Sequence, residues 1–220
     1  MSGHDHDHGH EHHHDHDHPH GHGPFQPDIE DRPLTHHQAM TEAVADLLLA
    51  KGIIEPVELR KMLEAIDAKS PAAGSKMVAK AWTDPAFKQR MLADVIAAAS
   101  ELDIDAGGIP IKAIENTEAT HNVVVCTLCS CYPRLLIGLP PDWYKARAYR
   151  SRVIREPRAV LKEFGTEIPD DVEVRVHDST ADLRYLIIPA RPKGTEGWSA
   201  EKLEALVTRD TMIGVALPQV

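Results

Sequence analysis

The spacing of hydrophobic and polar positions changes part-way along the chain. From Pro33 to about Leu102 the apolar residues recur at helical intervals. Thr35 is placed to cap a first helix, Met40, Val44, Leu47 and Leu48 form its apolar face, and Gly52 stands where a C-terminal stop belongs. Leu59, Met62, Leu63 and Ile66 make a second stripe after Pro56, and Met77, Val78, Ala81 and Trp82 a third. Asp84 and Pro85 then open a fourth helix whose face runs through Phe87, Met91, Val95 and Leu102. These stripes read as core. Past Gly107 and Gly108 the pattern becomes one of strands mixed with short helices. Val123, Val124 and Val125 read as a buried strand; Val172, Val174 and Val176 alternate with Glu173 and Arg175; Leu186, Ile187 and Ile188 make a strand that Pro189 ends. Ser199 to Val207 reads as a short helix and Met212 to Leu217 as a final strand. The fold class is therefore α+β, with a helical N-terminal segment over residues 25–103 and a mixed, layered α/β core over residues 104–220.

Residues 1–24 break both patterns. They hold 11 of the 15 histidines, interleaved with Asp, Glu and Gly, and no apolar residue beyond Met1. Such a tract cannot offset the entropy of ordering, so a disordered tail is expected, with imidazoles and carboxylates suited to cobalt, nickel, zinc or copper. The formal charge of -10 over 220 residues is also concentrated there, because Asp5, Asp7, Glu11, Asp15 and Asp17 face no Lys or Arg. The remainder has no basic surplus to neutralise phosphates, which argues against nucleic acid as a partner. No apolar run approaches the roughly 18 residues of a membrane span, and the amino terminus lacks the basic-then-apolar pattern of a secretory signal. A soluble, cytoplasmic protein is the expectation.

All three cysteines, Cys126, Cys129 and Cys131, fall within the segment Val125-Cys126-Thr127-Leu128-Cys129-Ser130-Cys131-Tyr132. They are too close together to staple distant parts of a secreted fold. A thioredoxin-like pair, Cys126 and Cys129, needs a helix from the first cysteine, which Cys131 and Pro133 fit poorly. A structural zinc site needs a fourth ligand; His121 is a candidate, although it precedes a strand that leads away from the loop. An iron–sulfur cluster takes four cysteines. Inert buried thiols remain the plainest alternative. A further reading uses the backbone: thiolates at i, i+3 and i+5 closing on one ion carry the peptide nitrogens of Ser130 and Cys131 to it. A strongly polarising trivalent metal can hold such nitrogens, and one position stays open for chemistry.

The Val-Cys-Thr-Leu-Cys-Ser-Cys segment resembles the metal-binding claw of the nitrile hydratase alpha subunit. The resemblance extends to Leu139-Pro140-Pro141-Asp142-Trp143-Tyr144-Lys145, Arg155-Glu156-Pro157-Arg158, Arg191-Pro192, Gly194-Thr195-Glu196-Gly197-Trp198 and Ile213-Gly214-Val215, and back to Ala79-Lys80-Ala81-Trp82-Thr83-Asp84-Pro85. It covers roughly residues 35–220 and makes the 104–220 segment a metal-binding core. It implies a non-corrin cobalt(III) or non-haem iron(III) held by Cys126, Cys129, the Ser130 nitrogen, and both sulfur and nitrogen of Cys131. It implies Cys129 as sulfinate and Cys131 as sulfenate, an oxidation state that persists only where burial and hydrogen bonds protect it. Thr127, where iron-type members carry serine, points to one cobalt(III) per chain in preference to iron(III).

The implied reaction is hydration of a nitrile to an amide, with the metal as Lewis acid and the Cys131 sulfenate, or a water it activates, as nucleophile. Ser130 is a candidate for a hydrogen bond near the substrate as well as a nitrogen ligand. The resemblance further implies a beta subunit in an αβ or α2β2 enzyme, whose arginines hold the oxidised cysteines, and a cobalt-insertion activator protein. Arg184 matches a family arginine near the subunit contact, though it also reads as a surface residue on a strand. Two positions depart from many members: Gly107 stands where Gln is frequent, and Arg134 where Trp follows Tyr-Pro. Arg134 also fits the related metal-binding subunit of thiocyanate hydrolase, which acts on an anion. A metal carrier, with the histidine arm storing cobalt and the cysteines passing it on, is a reading from another class.

Overall fold

In the computed structural model, residues 35–220 are described; the histidine-rich tract lies outside them. The chain begins with α1 (His36–Ala50) and α2 (Pro56–Asp67), followed by α3 (Ala72–Thr83), α4 (Pro85–Ala93) and α5 (Val95–Ser100). Thr35 caps α1 through a reciprocal capping box with Gln38, and Lys51 and Gly52, the latter at φ +63°, turn the chain after it. Asp84 caps α4 by accepting from the Phe87 N–H. The long fourth helix expected from the apolar stripe is instead two. Asp94 closes α4 with its own N–H, which donates to Arg90, and caps α5 with its carboxylate, which accepts from Ala97.

The stripes of α1 and α2 correct a second expectation. Neither helix buries a residue: Met40, Val44, Leu47, Met62 and Leu63 are all between 51% and 62% exposed. Their period specifies an apolar face, but the core of this chain does not reach it. In α3 the same kind of stripe is buried through Met77, Val78 and Ala81, and Gly74 lets that helix approach so closely that a Cβ would stand 2.7 Å from Met212 Sδ.

After these helices come β1 (Ile111–Glu115) and β2 (Thr120–Val125), then four short helices, α6 (Arg134–Ile137), α7 (Asp142–Lys145), α8 (Arg147–Arg155) and α9 (Pro157–Glu163). The chain returns through β3 (Glu173–Asp178) and β4 (Arg184–Ile188) and ends with α10 (Ala200–Glu204) and α11 (Arg209–Ile213). The strands form two parallel pairs, β1 with β4 and β2 with β3. In the second pair Val123 lies beside Val176 and Val125 beside Asp178. Val123, Val124, Val125, Leu186, Ile187 and Ile188 are buried, as strands covered on both faces must be. Each such side chain contributes about 1.5–3 kcal/mol by leaving water.

The segment expected as a last strand, Met212 to Leu217, is instead the end of α11 and the turn that follows it. Thr208 and Thr211 form a capping box at its start, and Gly214, at φ +91°, ends it in the left-handed region. Met212, Ile213 and Val215 are buried by this helix and turn rather than by strand alternation. The turn lies directly on β2, so a Cβ at Gly214 would come within 2.0 Å of the Asn122 carbonyl oxygen.

A buried polar network ties the turn to the sheet. His121 Nε2 donates to the Gly214 carbonyl at 2.7 Å, and its Nδ1 accepts from Asn116 Nδ2 at 3.2 Å, an arrangement that requires the neutral ring. Asn116 Oδ1 accepts from the Asn122 backbone N–H and side-chain amide, and His177 bonds to Asn122 Oδ1. Other matched motifs are also structural here. Trp82 Nε1 donates to the Pro189 carbonyl and Arg191 to the Trp82 carbonyl, while Arg158 gathers the carbonyls of Ile168, Pro169 and Val172.

Two outcomes follow from this packing. Gly214→Ala is expected to destabilise the fold by about 3 kcal/mol, through strain at positive φ and the clash with Asn122, and so to lower Tm by roughly 8 °C in a thermal melt. Burial lowers the proton affinity of His121, so the unfolded chain takes up the proton more readily. Stability is then complete above the ordinary imidazole value of 6.5 and declines as the pH falls below it. Urea midpoints at about pH 8 and about pH 5.5 are expected to differ less in His121→Gln than in the parent chain.

Candidate metal centre

The three cysteines occupy the loop that leaves the C-terminal end of β2, where parallel sheets characteristically place functional groups. Cys126 is fully buried, Cys129 is exposed and Cys131 is intermediate. Their sulfurs all lie within 4.8 Å of one another, with Cys126 Sγ 3.5 Å from Cys129 Sγ and Cys129 Sγ 3.3 Å from Cys131 Sγ. Among the described residues this is the one group of three metal-ligating side chains brought together. His121 belongs to the network behind the sheet, so the structure does not supply it as a fourth zinc ligand.

Electrostatics divide the three thiols. Burial, followed by the neighbouring thiols of Cys129 and Cys126, pushes Cys131 up to about 12. Cys129 moves the other way, because the Cys131 and Cys126 thiols and the Ser130 and Cys131 amides favour its thiolate. Those two amides donate to no other backbone group among the described residues. The three converging sulfurs fit a thiophilic ion, and the Ser130 and Cys131 amides, which favour the Cys129 thiolate, leave backbone nitrogen beside them.

The loop is anchored at both ends. The register of β2 and β3 sets Asp178 beside Val125, so its carboxylate accepts from the Thr127 N–H at 2.9 Å and from Thr127 Oγ1 at 2.6 Å. Arg150 Nη1 donates to the Thr127 carbonyl at 3.0 Å. At the far end Tyr144 donates to the Cys131 carbonyl at 3.0 Å, and Arg184 Nη1 to the Tyr132 carbonyl at 2.9 Å. The tyrosines are themselves fixed: Tyr132 and Tyr144 meet edge to face at 5.2 Å, Tyr149 donates to the Val124 carbonyl, and Trp143 packs on Tyr149 and Phe164.

A cavity of about 190 Å³ opens over the loop, lined by Cys129, Ser130, Cys131, Tyr132, Arg134, Pro140 and Arg184. Arg134 and Arg184 also line a neighbouring cavity of about 180 Å³, whose wall includes Gly107, Ile109 and Leu135. Both departures noted in the sequence thus border this space. Arg184 is not merely a surface residue: it is half-buried, its Nε has no hydrogen-bond partner, and it supports the loop. Asp178 was not legible as a site residue, since only the strand register brings it 51 positions back to Thr127.

The family described as nitrile hydratase, alpha chain, matches residues 35–216. The high-molecular-weight cobalt-containing nitrile hydratase subunit alpha of Rhodococcus rhodochrous is 48% identical over 186 residues, covering 83% of this chain and 91% of that one. The thiocyanate hydrolase subunit gamma of Thiobacillus thioparus is 38% identical over 189 residues, 80% of this chain and 78% of that one. Among solved structures, a double mutant of the Fe-type nitrile hydratase from Comamonas testosteroni Ni1 has the same fold, with a TM-score of 0.77 at 40% identity, over 83% of this chain and 90% of that one. The chain belongs to the nitrile hydratase alpha-chain family.

The anchoring of Thr127 gives a direct test. Asp178→Asn keeps the shape but weakens both charge-assisted bonds, and is expected to lower metal retention by about 10–100-fold. Metal content after timed exposure to a chelator measures this.

Proposed function

We propose that this chain is the alpha subunit of a cobalt-dependent nitrile hydratase, converting nitriles to amides in complex with a beta subunit. The observation that carries the reading is the convergence of three sulfurs within 4.8 Å beside a small cavity, in a chain 48% identical to a cobalt-containing alpha subunit. The proposed ligands are Cys126, Cys129 and Cys131 by sulfur and Ser130 and Cys131 by backbone nitrogen, with Cys129 as sulfinate and Cys131 as sulfenate. When bound, cobalt(III) supplies Lewis-acid polarisation of the nitrile.

The chain's own residues do the rest. Cys131 and Ser130 both line the cavity, and they are the proposed catalytic residues. The Cys131 sulfenate either adds its oxygen to the nitrile carbon, after which a water releases the product and restores the sulfenate, or takes a proton from a water that adds in its place; on either route both water protons end on the former nitrile nitrogen as the amide forms, and the Ser130 hydroxyl positions the substrate. Tyr144 and Arg184 hold the carbonyls of Cys131 and Tyr132, and so fix the backbone that carries the reactive sulfur. An activator protein for cobalt insertion and an αβ or α2β2 assembly belong to the same reading.

Arg134 at the cavity wall favours one alternative, the metal-binding subunit of a thiocyanate hydrolase, because a guanidinium suits an anionic substrate. The lower identity to that enzyme, 38% against 48%, weighs against it. Protein co-expressed with its beta subunit is expected to contain about one cobalt per chain, to add three oxygens to the peptide carrying Cys129 and Cys131, and to hydrate acrylonitrile. Thiocyanate turnover in place of nitrile turnover would establish the alternative. Labile metal with unoxidised thiols would indicate a carrier, and a cobalt-loaded, oxidised complex inert to both substrates would sink both enzyme readings.

A further inference from the structure

A second concave surface lies on the Thr127 side of the loop, away from the substrate cavity. It is a groove of about 320 Å³ lined by Thr127 and by Arg147, Arg150, Ser151, Ile154 and Arg155. The five α8 residues fall at i, i+3, i+4, i+7 and i+8, a single helix face. Arg150 reaches inward to the carbonyls of Thr127 and Lys145, and Arg155 bonds the Ser151 carbonyl. Among the described residues no carboxylate pairs with Arg147, Arg150 or Arg155. The nearby acids are committed elsewhere: Glu156 and Glu163 to Arg152, Asp142 to Lys145, and Asp178 to Thr127. Ile154 stands 48% exposed among the guanidinium groups.

Such a face combines uncompensated positive charge with an apolar centre, in a chain whose formal charge is -10. We propose that this groove docks an acidic segment of the partner subunit, with carboxylates on Arg147 and Arg155 and an apolar side chain over Ile154. The inference rests on reading the chain as one subunit of a two-subunit hydratase. A protein segment matches both features of the face. A nucleic acid matches neither the isoleucine nor the chain's net negative charge. Guanidinium forks favour carboxylates in bidentate geometry, and pairs of this kind set orientation and rate of assembly as well as affinity. Because Arg150 also carries the Thr127 carbonyl, the docked segment would close the rear of the claw.

The test uses the co-expressed complex. Arg147→Glu combined with Arg155→Glu leaves Arg150 and the claw intact, and is expected to raise the Kd for the partner at least about tenfold and to flatten its dependence on salt. Arg147→Lys and Arg155→Lys preserve charge and place an amine in the groove, and carbodiimide treatment is expected to couple that amine to an Asp or Glu of the partner, identified by peptide mass spectrometry. Assembly unchanged by charge reversal would overturn the proposal, as would cross-links that lead only to a second copy of this chain, or none. Cobalt content and nitrile hydration of the parent complex report separately on the function. If those fail while cross-links to the partner form, the docking site stands and the hydratase reading falls.

Discussion

The claw depends on the register of one parallel strand pair. With Val125 beside Asp178, the carboxylate at the end of β3 meets the second residue of the loop and takes both of its donors. A slip of one residue would turn Asp178 to the opposite face and leave the Thr127 N–H and hydroxyl without their partner. Burial of β2 on both faces keeps it inside the molecule, and the hydrogen bond between His177 on β3 and Asn122 Oδ1 on β2 pins the pairing from one strand to the other. The order of dependence therefore runs from strand register to a single carboxylate, and from that carboxylate to the position of three sulfurs.

Around this axis the molecule is unevenly fastened. Behind β2 the Asn116–His121–Asn122 network and the Gly214 turn leave no room for adjustment, and in front of it the stacked tyrosines hold the chain leaving Cys131. Helices α1 and α2 carry well-formed caps yet bury no side chain. Their stability within this chain rests on local hydrogen bonds and propensity, which sustain isolated helices only marginally.

Much of this was legible in the sequence where the signal is local. The cysteine spacing, the valine runs, Thr35 and the Asp84-Pro85 pair each act within a few residues, and the structure places each as expected. The misreadings share a different cause. Apolar periodicity reports which face of a helix is greasy and not whether the same chain covers it, as α1 and α2 show. Asp94 interrupts a stripe that looks continuous, because one residue can cap two helices. Met212 to Leu217 is apolar enough for a strand, but the Thr208 capping box and Gly214 decide for a helix and a tight turn. Asp178 and Arg184 act on the loop through contacts 51 and 52 residues away in sequence, which no local pattern encodes.

The gradient of exposure across the loop carries a consequence for how the sulfurs age. Cys126 presents no surface to solvent, whereas Cys129 is open and Cys131 partly so. An oxidant diffusing from solution meets the middle sulfur first and the last one second, while the innermost is shielded by its own strand. Three chemically identical side chains thus differ in their reach from solvent, and that difference is written into how deeply each one sits.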